Sequence, residues 1–289
     1  MDGFRTRIAS GGLSLAGALL ALGAPAPAAL AAAPDHHIIA YDHVRLDVID
    51  QGRGPAIIMI PSLGRGAGDF DDLAARLVAH GYRVIRPQPR GLGASVGPMT
   101  GLTLHDLSAD VAHVITGSGL TSAIVLGHDD GNRTARMTAA DYPALVPTLI
   151  LVGAGGKSPP DPEARAALRA VFDPSLSPEA HLQDVATGFF APGHDPSPWR
   201  DGWNAAVAQM EGEAGRAVPL ADWWLGGKAK ILVIQGDQDR IAPPANAAIL
   251  KADAPDRVTV VPIDGAGHAL LPEQPEKLAD AILSYLKGR

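Results

Sequence analysis

The sequence predicts an α/β fold: a mostly parallel, doubly wound sheet interrupted by a helical insert. Two observations carry that expectation. Short apolar, β-branched runs alternate with amphipathic helical stretches on both sides of residues 157–227. Residues 157–227 themselves are proline-rich, hold all four tryptophans and three of the five phenylalanines, and contain no strand-like run. A third observation concerns one turn. The run Ala123-Ile124-Val125-Leu126 stops at Gly127, His128-Asp129-Asp130 follows, and Gly131 opens a helix-like segment. That is a strand, a tight turn and a helix.

Taken in order, Ile38–Tyr41 and Val44–Val48 read as a hairpin of edge strands. Ala56–Ile60 is a continuous apolar run, as a strand buried on both faces requires. Phe70–His80 carries Phe70, Leu73, Leu77 and Val78 at helical spacing and ends at Gly81. Tyr82–Arg86 is the next strand. Thr103–Ile115 is a helix with Thr103 as its cap and Asp106 three residues on, close to a capping box. After strand Ala123–Leu126, helix Gly131–Tyr142 stops at Pro143, and strand Thr148–Val152 ends in Gly153-Ala154-Gly155-Gly156. Beyond the insert come strand Lys230–Gln235, helix Pro244–Ala252, strand Arg257–Pro262 and helix Pro275–Leu286. The expected division is residues 1–31 as a signal peptide, 32–156 and 228–289 as the two parts of the core, and 157–227 as a helical cap.

The first residues read as a targeting segment. Arg5 and Arg7 precede an apolar stretch, Ile8 to Leu22, too short to span a membrane. Pro25 and Pro27 follow, and Ala29-Leu30-Ala31 fits the small-x-small cleavage rule, with cleavage after Ala31. The expectation is a periplasmic or secreted protein. The 289-residue chain has a formal net charge of −7 and no basic cluster, which argues against a nucleic-acid partner. It has no cysteine, which removes disulfides, thiolate metal sites and cysteine nucleophiles.

The chemistry-bearing residues fall in three places. Asp129 stands in the middle of Gly127-His128-Asp129-Asp130-Gly131, a G-x-nucleophile-x-G elbow with aspartate in the central position. Gly236-Asp237-Gln238-Asp239 places an acid after the next strand, and Gly265-Ala266-Gly267-His268 places a histidine after the last. The order nucleophile, acid, histidine is that of a hydrolytic triad. Each residue has a plainer reading. Asp129 suits a helix N-cap, Asp237 competes with Asp239 and reads better as a turn former, and Asp130 suits the first turn of a helix. His128 reads as a packing or hydrogen-bonding residue, and Ser95 lies in the wrong loop for a nucleophile. A metal site from His128, Asp129, Asp130 and Asp237 and a dinucleotide site at Gly91-Leu92-Gly93 are weaker alternatives.

On these motifs the chain, over about residues 36–289, resembles the α/β-hydrolase superfamily, specifically its cap-containing branch with an aspartate at the elbow: epoxide hydrolases and haloalkane or haloacid dehalogenases. The resemblance implies Asp129, His268 and Asp239 as the catalytic triad, an oxyanion hole from the backbone N–H groups of Leu63 and Asp130, and no cofactor and no metal. Relatives usually carry His-Gly where this chain has Pro61-Ser62. An aspartate is already charged near neutral pH, so attack on a saturated carbon gives an alkyl ester that water, activated by His268, then hydrolyses. The branch features fit incompletely. None of Tyr41, Tyr82, Tyr142 and Tyr285 lies in the cap, and Asp130 stands where dehalogenases place tryptophan or arginine. For a halide the cap offers His181, His194 and tryptophans, and for a carboxylate Arg65 and Arg133 are near in sequence. The cap aromatics Phe189, Phe190, Trp199, Trp203 and Trp224 are expected to bind a small, largely apolar substrate or to form the core of the cap. Two further readings stay open: Asp129 as general base for an ester or lactone, and a non-catalytic ligand-binding protein with a degenerate elbow. No nucleic acid is expected as partner, nor a membrane once the signal is cleaved, and the oligomeric state is not readable.

Overall fold

The computed structural model describes residues 1–3 and 33–287. Apart from residues 1–3, the expected signal segment, with its cleavage point, lies outside the described residues. Eight strands form one sheet in the order β1-β2-β4-β3-β5-β6-β7-β8. The strands are β1 (Asp35–Tyr41), β2 (Val44–Gly52), β3 (Ala56–Ile60), β4 (Arg83–Pro87), β5 (Ile124–His128), β6 (Thr148–Val152), β7 (Lys230–Gly236) and β8 (Val258–Ile263). The β1–β2 hairpin runs antiparallel at one edge and β2 is antiparallel to β4. From β4 onward every pairing is parallel.

The apolar strands divide their side chains between two cores, with the period of 2 that a pleated strand imposes. Val125 of β5, Leu149 and Leu151 of β6, and Ile231 and Val233 of β7 enter one core. Helices α2 (Leu104–Gly117), α3 (Gly131–Asp141) and α8 (Ala245–Asp253) cover it. Leu126, Ile150, Val152, Leu232 and Ile234 enter the other, beneath α1 (Asp71–Ala79) and α10 (Pro275–Lys287). Both faces are therefore buried, as a doubly wound sheet demands. Helix α2 starts at the capping box read from the sequence, with Asp106 accepting the Thr103 N–H at 2.8 Å.

Between β6 and β7 the chain forms α4 (Pro162–Ala170), α5 (Pro178–Phe189), α6 (Ala205–Arg216) and α7 (Leu220–Trp223). Proline opens α4 and α5, each after a side-chain cap: Asp161 accepts from the N–H groups of Glu163 and Ala164, and Ser177 from that of Ala180. This insertion has its own small core, Val171, Val185, Phe189, Phe190 and Trp199, and Ile241 and Ala269 of the main body join it. Two differences from the sequence reading matter for the site. Strand β5 runs on through Gly127 and His128, because those residues pair with Leu151 and Val152 of β6. A short helix α9 (Leu270–Glu273), not foreseen, follows His268 directly. Among the described residues no helix is long and apolar enough to cross a membrane.

Candidate active site

The sharp turn after β5 sets the site. Asp129 adopts φ 50°, a left-handed conformation costly for a residue with a Cβ. The turn is possible because its flanking glycines leave no room for more. A Cβ on Gly127 would lie 2.4 Å from the Gly131 oxygen, and one on Gly131 would lie 2.4 Å from the Pro61 oxygen. Asp129 is thereby lifted to the carboxyl end of the sheet, where the loops after β3, β7 and β8 also converge.

The structure brings Asp129, His268 and Asp239 together. His268 Nδ1 lies 2.9 Å from Asp239 Oδ2, and His268 Nε2 lies 3.3 Å from Asp129 Oδ1. The second contact is an ion pair rather than an aligned hydrogen bond, which leaves the buried Nε2 without a hydrogen-bond acceptor. Asp239 is held by four donors. Its Oδ1 accepts the N–H groups of Ile241 (2.9 Å) and Ala242 (2.7 Å), and its Oδ2 accepts Gln235 Nε2 (2.8 Å) as well as His268. The competing acid, Asp237, accepts the Gly265 N–H and shapes the turn instead.

The other oxygen of the elbow aspartate faces the loop after β3. Asp129 Oδ2 accepts the Ser62 hydroxyl at 2.8 Å and the Leu63 N–H at 3.3 Å. Leu63 therefore reaches the carboxylate of Asp129 itself. Asp130 stands at the N-cap of α3 in right-handed helical geometry. Ser62, read from the sequence only as a departure from the His-Gly of relatives, is a buried donor to the central residue.

Charge follows from this packing. Burial works against the anionic form of Asp129, but the adjacent His268 outweighs it and, with the Ser62 hydroxyl, holds the carboxyl well below the usual carboxylate range. Burial also works against His268 as a cation, yet the carboxylates of Asp239 and Asp129 on either side raise it to about 10. Both directions favour an imidazolium between two carboxylates. Asp130 behaves otherwise than the helix dipole alone would suggest. It is buried beside Asp129, and although it pairs with Arg133 at 3.0 Å, burial first and the Asp129 charge second raise it to about 6.

The histidine loop is fastened from several sides. The carbonyl of Phe189 accepts the N–H groups of both His268 (2.8 Å) and Ala269 (2.9 Å). The Glu273 carboxylate accepts the N–H of Ala191 at 2.6 Å and that of Gly267 at 2.8 Å. His128 Nε2 lies 3.0 Å from the His268 carbonyl oxygen, and burial, followed by the His268 charge, lowers its own value to about 4, so its ring is neutral. Phe189, Ala191 and Glu273 in this role escaped the sequence reading: the Phe189 carbonyl and the Ala191 N–H are backbone groups that leave no trace in residue identity, and the Glu273 carboxylate accepts only from backbone N–H groups.

The expected aromatic binding surface is corrected by the packing. A cavity of about 450 Å³ adjoins Asp129, and none of Phe189, Phe190, Trp199, Trp203 or Trp224 lines it. Phe189, Phe190, Trp199 and Trp203 stack on one another at centroid separations between 4.9 and 5.9 Å. Trp224 packs on Arg136 and donates its ring N–H to Asp253. Most of their apolar area is spent in this packing, and Trp203 also lines a separate cavity with Val171, Phe172 and His181, away from Asp129. Arg65 is spent likewise: it is buried, pairs with Asp69, and stacks on Trp199 and Trp203. His181 and His194 bond to the carbonyls of Val171 and Gly265. Ser95 donates to the Gln88 carbonyl, away from Asp129. The cavity wall instead combines Leu63, Leu168 and Ile241 with Arg133, Arg165, Arg169 and Arg216.

The chain belongs to the alpha/beta hydrolase family, whose sequence profile matches residues 57–281. It is similar to a non-heme chloroperoxidase of Streptomyces lividans, at 29% identity over 77% of this chain and 88% of that one. It is similar also to a 2-(acetamidomethylene)succinate hydrolase of Mesorhizobium japonicum, at 25% identity over 88% of this chain and 97% of that one. Among solved structures, an esterase from Exiguobacterium antarcticum superposes with a TM-score of 0.73 at 24% identity, covering 86% of this chain and 98% of that chain, a likeness of fold.

Proposed function

We propose that this alpha/beta hydrolase uses Asp129 as a nucleophile toward a carbon that bears a leaving group, and then hydrolyses the resulting alkyl-enzyme ester. The observation that carries the reading is the division of labour at the Asp129 carboxylate. Oδ2 rests on two donors, Ser62 Oγ and the Leu63 N–H, while Oδ1 faces His268 Nε2 and the carboxylate borders the cavity.

In the first step Oδ1 forms a bond to the substrate carbon, and the carbon–leaving group bond breaks with its electron pair leaving on the departing group. Asp129 loses its negative charge in this step. One of the two carboxylates that hold the proton on His268 is thereby cancelled, so the histidine gives that proton to the departing group or to solvent and becomes a base. In the second step water attacks Cγ and gives its proton to His268 Nε2. The charge that develops on Oδ2 falls on the donors already aimed there, Ser62 Oγ and the Leu63 N–H, with the Asp130 N–H as a further donor. The Cγ–Oδ1 bond then breaks and the alcohol leaves with the proton from His268; the carboxylic acid left on Asp129 passes its remaining proton to His268 Nε2, which restores the carboxylate and the imidazolium. A carboxyl held well below the usual range is a poor proton acceptor, which favours Asp129 as nucleophile over general base.

The test is intact-mass spectrometry of His268→Gln after incubation with a panel of epoxides, haloalkanes, haloacids and esters. The expected result is a covalent adduct on the peptide that holds Asp129, whose mass names the bond cleaved. Turnover of a panel member by the wild type with no adduct on His268→Gln would overturn the nucleophile reading.

A further inference from the structure

The arginines around the cavity have no counterpart in the triad chemistry. Arg165 and Arg169 stand four residues apart on α4, which puts them on one face of that helix, and both line the cavity. Arg216 is the last residue of α6 and reaches the same cavity from the other side of the insertion. Among the described residues none of these three forms an ion pair, whereas Arg65, Arg83, Arg86, Arg90 and Arg240 each pair with a carboxylate. Asp161 and Glu163 pair with Arg240, and Asp130 pairs with Arg133, with Arg216 acting on Asp130 only at longer range. Three guanidinium groups without a carboxylate ion pair thus line one cavity of a chain whose net charge is −7.

We infer that the cavity binds organic acids, with the substrate carboxylate held by Arg165, Arg169 and Arg216 and the reacting carbon placed at Asp129. This deepens the proposed function, since it takes the cavity as the place where Asp129 meets its substrate. Two physical arguments set the orientation. A guanidinium fork matches a carboxylate through paired hydrogen bonds. The Asp129 carboxylate borders the same cavity and disfavours a second anion beside it, so the substrate carboxylate goes to the arginines and its uncharged carbon to the nucleophile. Leu168 and Ile241, also in the wall, offer apolar contact for the connecting carbon skeleton. The reading replaces the apolar substrate expected from the tryptophans, which the packing uses elsewhere.

The experiment measures binding without catalysis. Adipate and its neutral diamide are titrated calorimetrically at fixed ionic strength into three proteins: wild type, Asp129→Asn, and Arg165→Gln/Arg169→Gln/Arg216→Gln. All three arginines are exposed, so the triple variant keeps its packing, which circular dichroism checks. The expected result is adipate binding by wild type and by Asp129→Asn, with roughly tenfold or greater weakening in the triple variant and for the diamide. Absence of adipate binding to the wild type, or equal binding by the triple variant, would overturn the inference. Adipate binding that depends on the arginines, together with no adduct on His268→Gln, would keep the inference and remove only the nucleophile reading.

Discussion

Glu211 Oε2 accepts the Gly64 N–H at 2.7 Å, so a buried carboxyl group of the insertion anchors the loop that carries Ser62 and Leu63 to Asp129. Burial, with the Asp130 charge adding to it, holds Glu211 well above the ordinary carboxyl range, so a negative charge is not what the contact needs.

Glu211→Gln is therefore expected to keep stability and kcat close to wild type, because the amide oxygen still accepts from Gly64. Glu211→Ala leaves a buried N–H unpaired and is expected to cost about 1–3 kcal/mol of stability and to lower kcat. Denaturant unfolding and steady-state kinetics of the two variants check this. Equal losses in both would mean that the carboxylate charge, not the acceptor, matters.

The pH dependence of stability should report His268. Its value in the folded protein, about 10, exceeds the ordinary 6.5, so the folded state holds the proton more tightly. That stabilisation is complete below about 6.5 and is lost as pH rises through the folded value. Thermal unfolding of the wild type should therefore fall from pH 7 to pH 9, and His268→Gln should flatten the slope. Parallel curves for the two proteins would rule out an imidazolium between Asp129 and Asp239.

The elbow tolerates no growth at its second glycine. In Gly131→Ala the new methyl group would meet the backbone oxygens of Pro61 and Ile60 at 2.4 and 2.5 Å, neither of which has a flexible end to move. Expression in soluble form should drop sharply, with a stability loss of more than about 3 kcal/mol in any protein recovered. Wild-type solubility and melting temperature would show that the turn can open without cost.

The sheet and the geometry of the triad were readable because both depend on local signals. Gly127, Gly131 and the β-branched run before them specify a turn wherever they occur, and Asp239 and His268 each follow a strand in the expected order. The supports of the site were less readable, for physical reasons. Glu211 did leave a trace: it falls on the apolar register of α6 with Val207, Ala208 and Ala214, where a charged residue is out of place. The cap aromatics had two readings, pocket or packing, because a large aromatic side chain serves a joint between two layers as well as it serves a pocket, and only the fold separates them. Arg165, Arg169 and Arg216 left no signal at all. An arginine on an exposed helix face looks solvated in sequence, and only the approach of α4 and α6 shows that the three share one cavity.

The two hydrogen bonds that the histidine loop donates to the Phe189 carbonyl, with the Glu273 clasp beside them, limit how the insertion can move. They weld the insertion to the body along the edge next to the base, where any swing would tear His268 away from Asp239. The roof of this site consequently has one fixed eave.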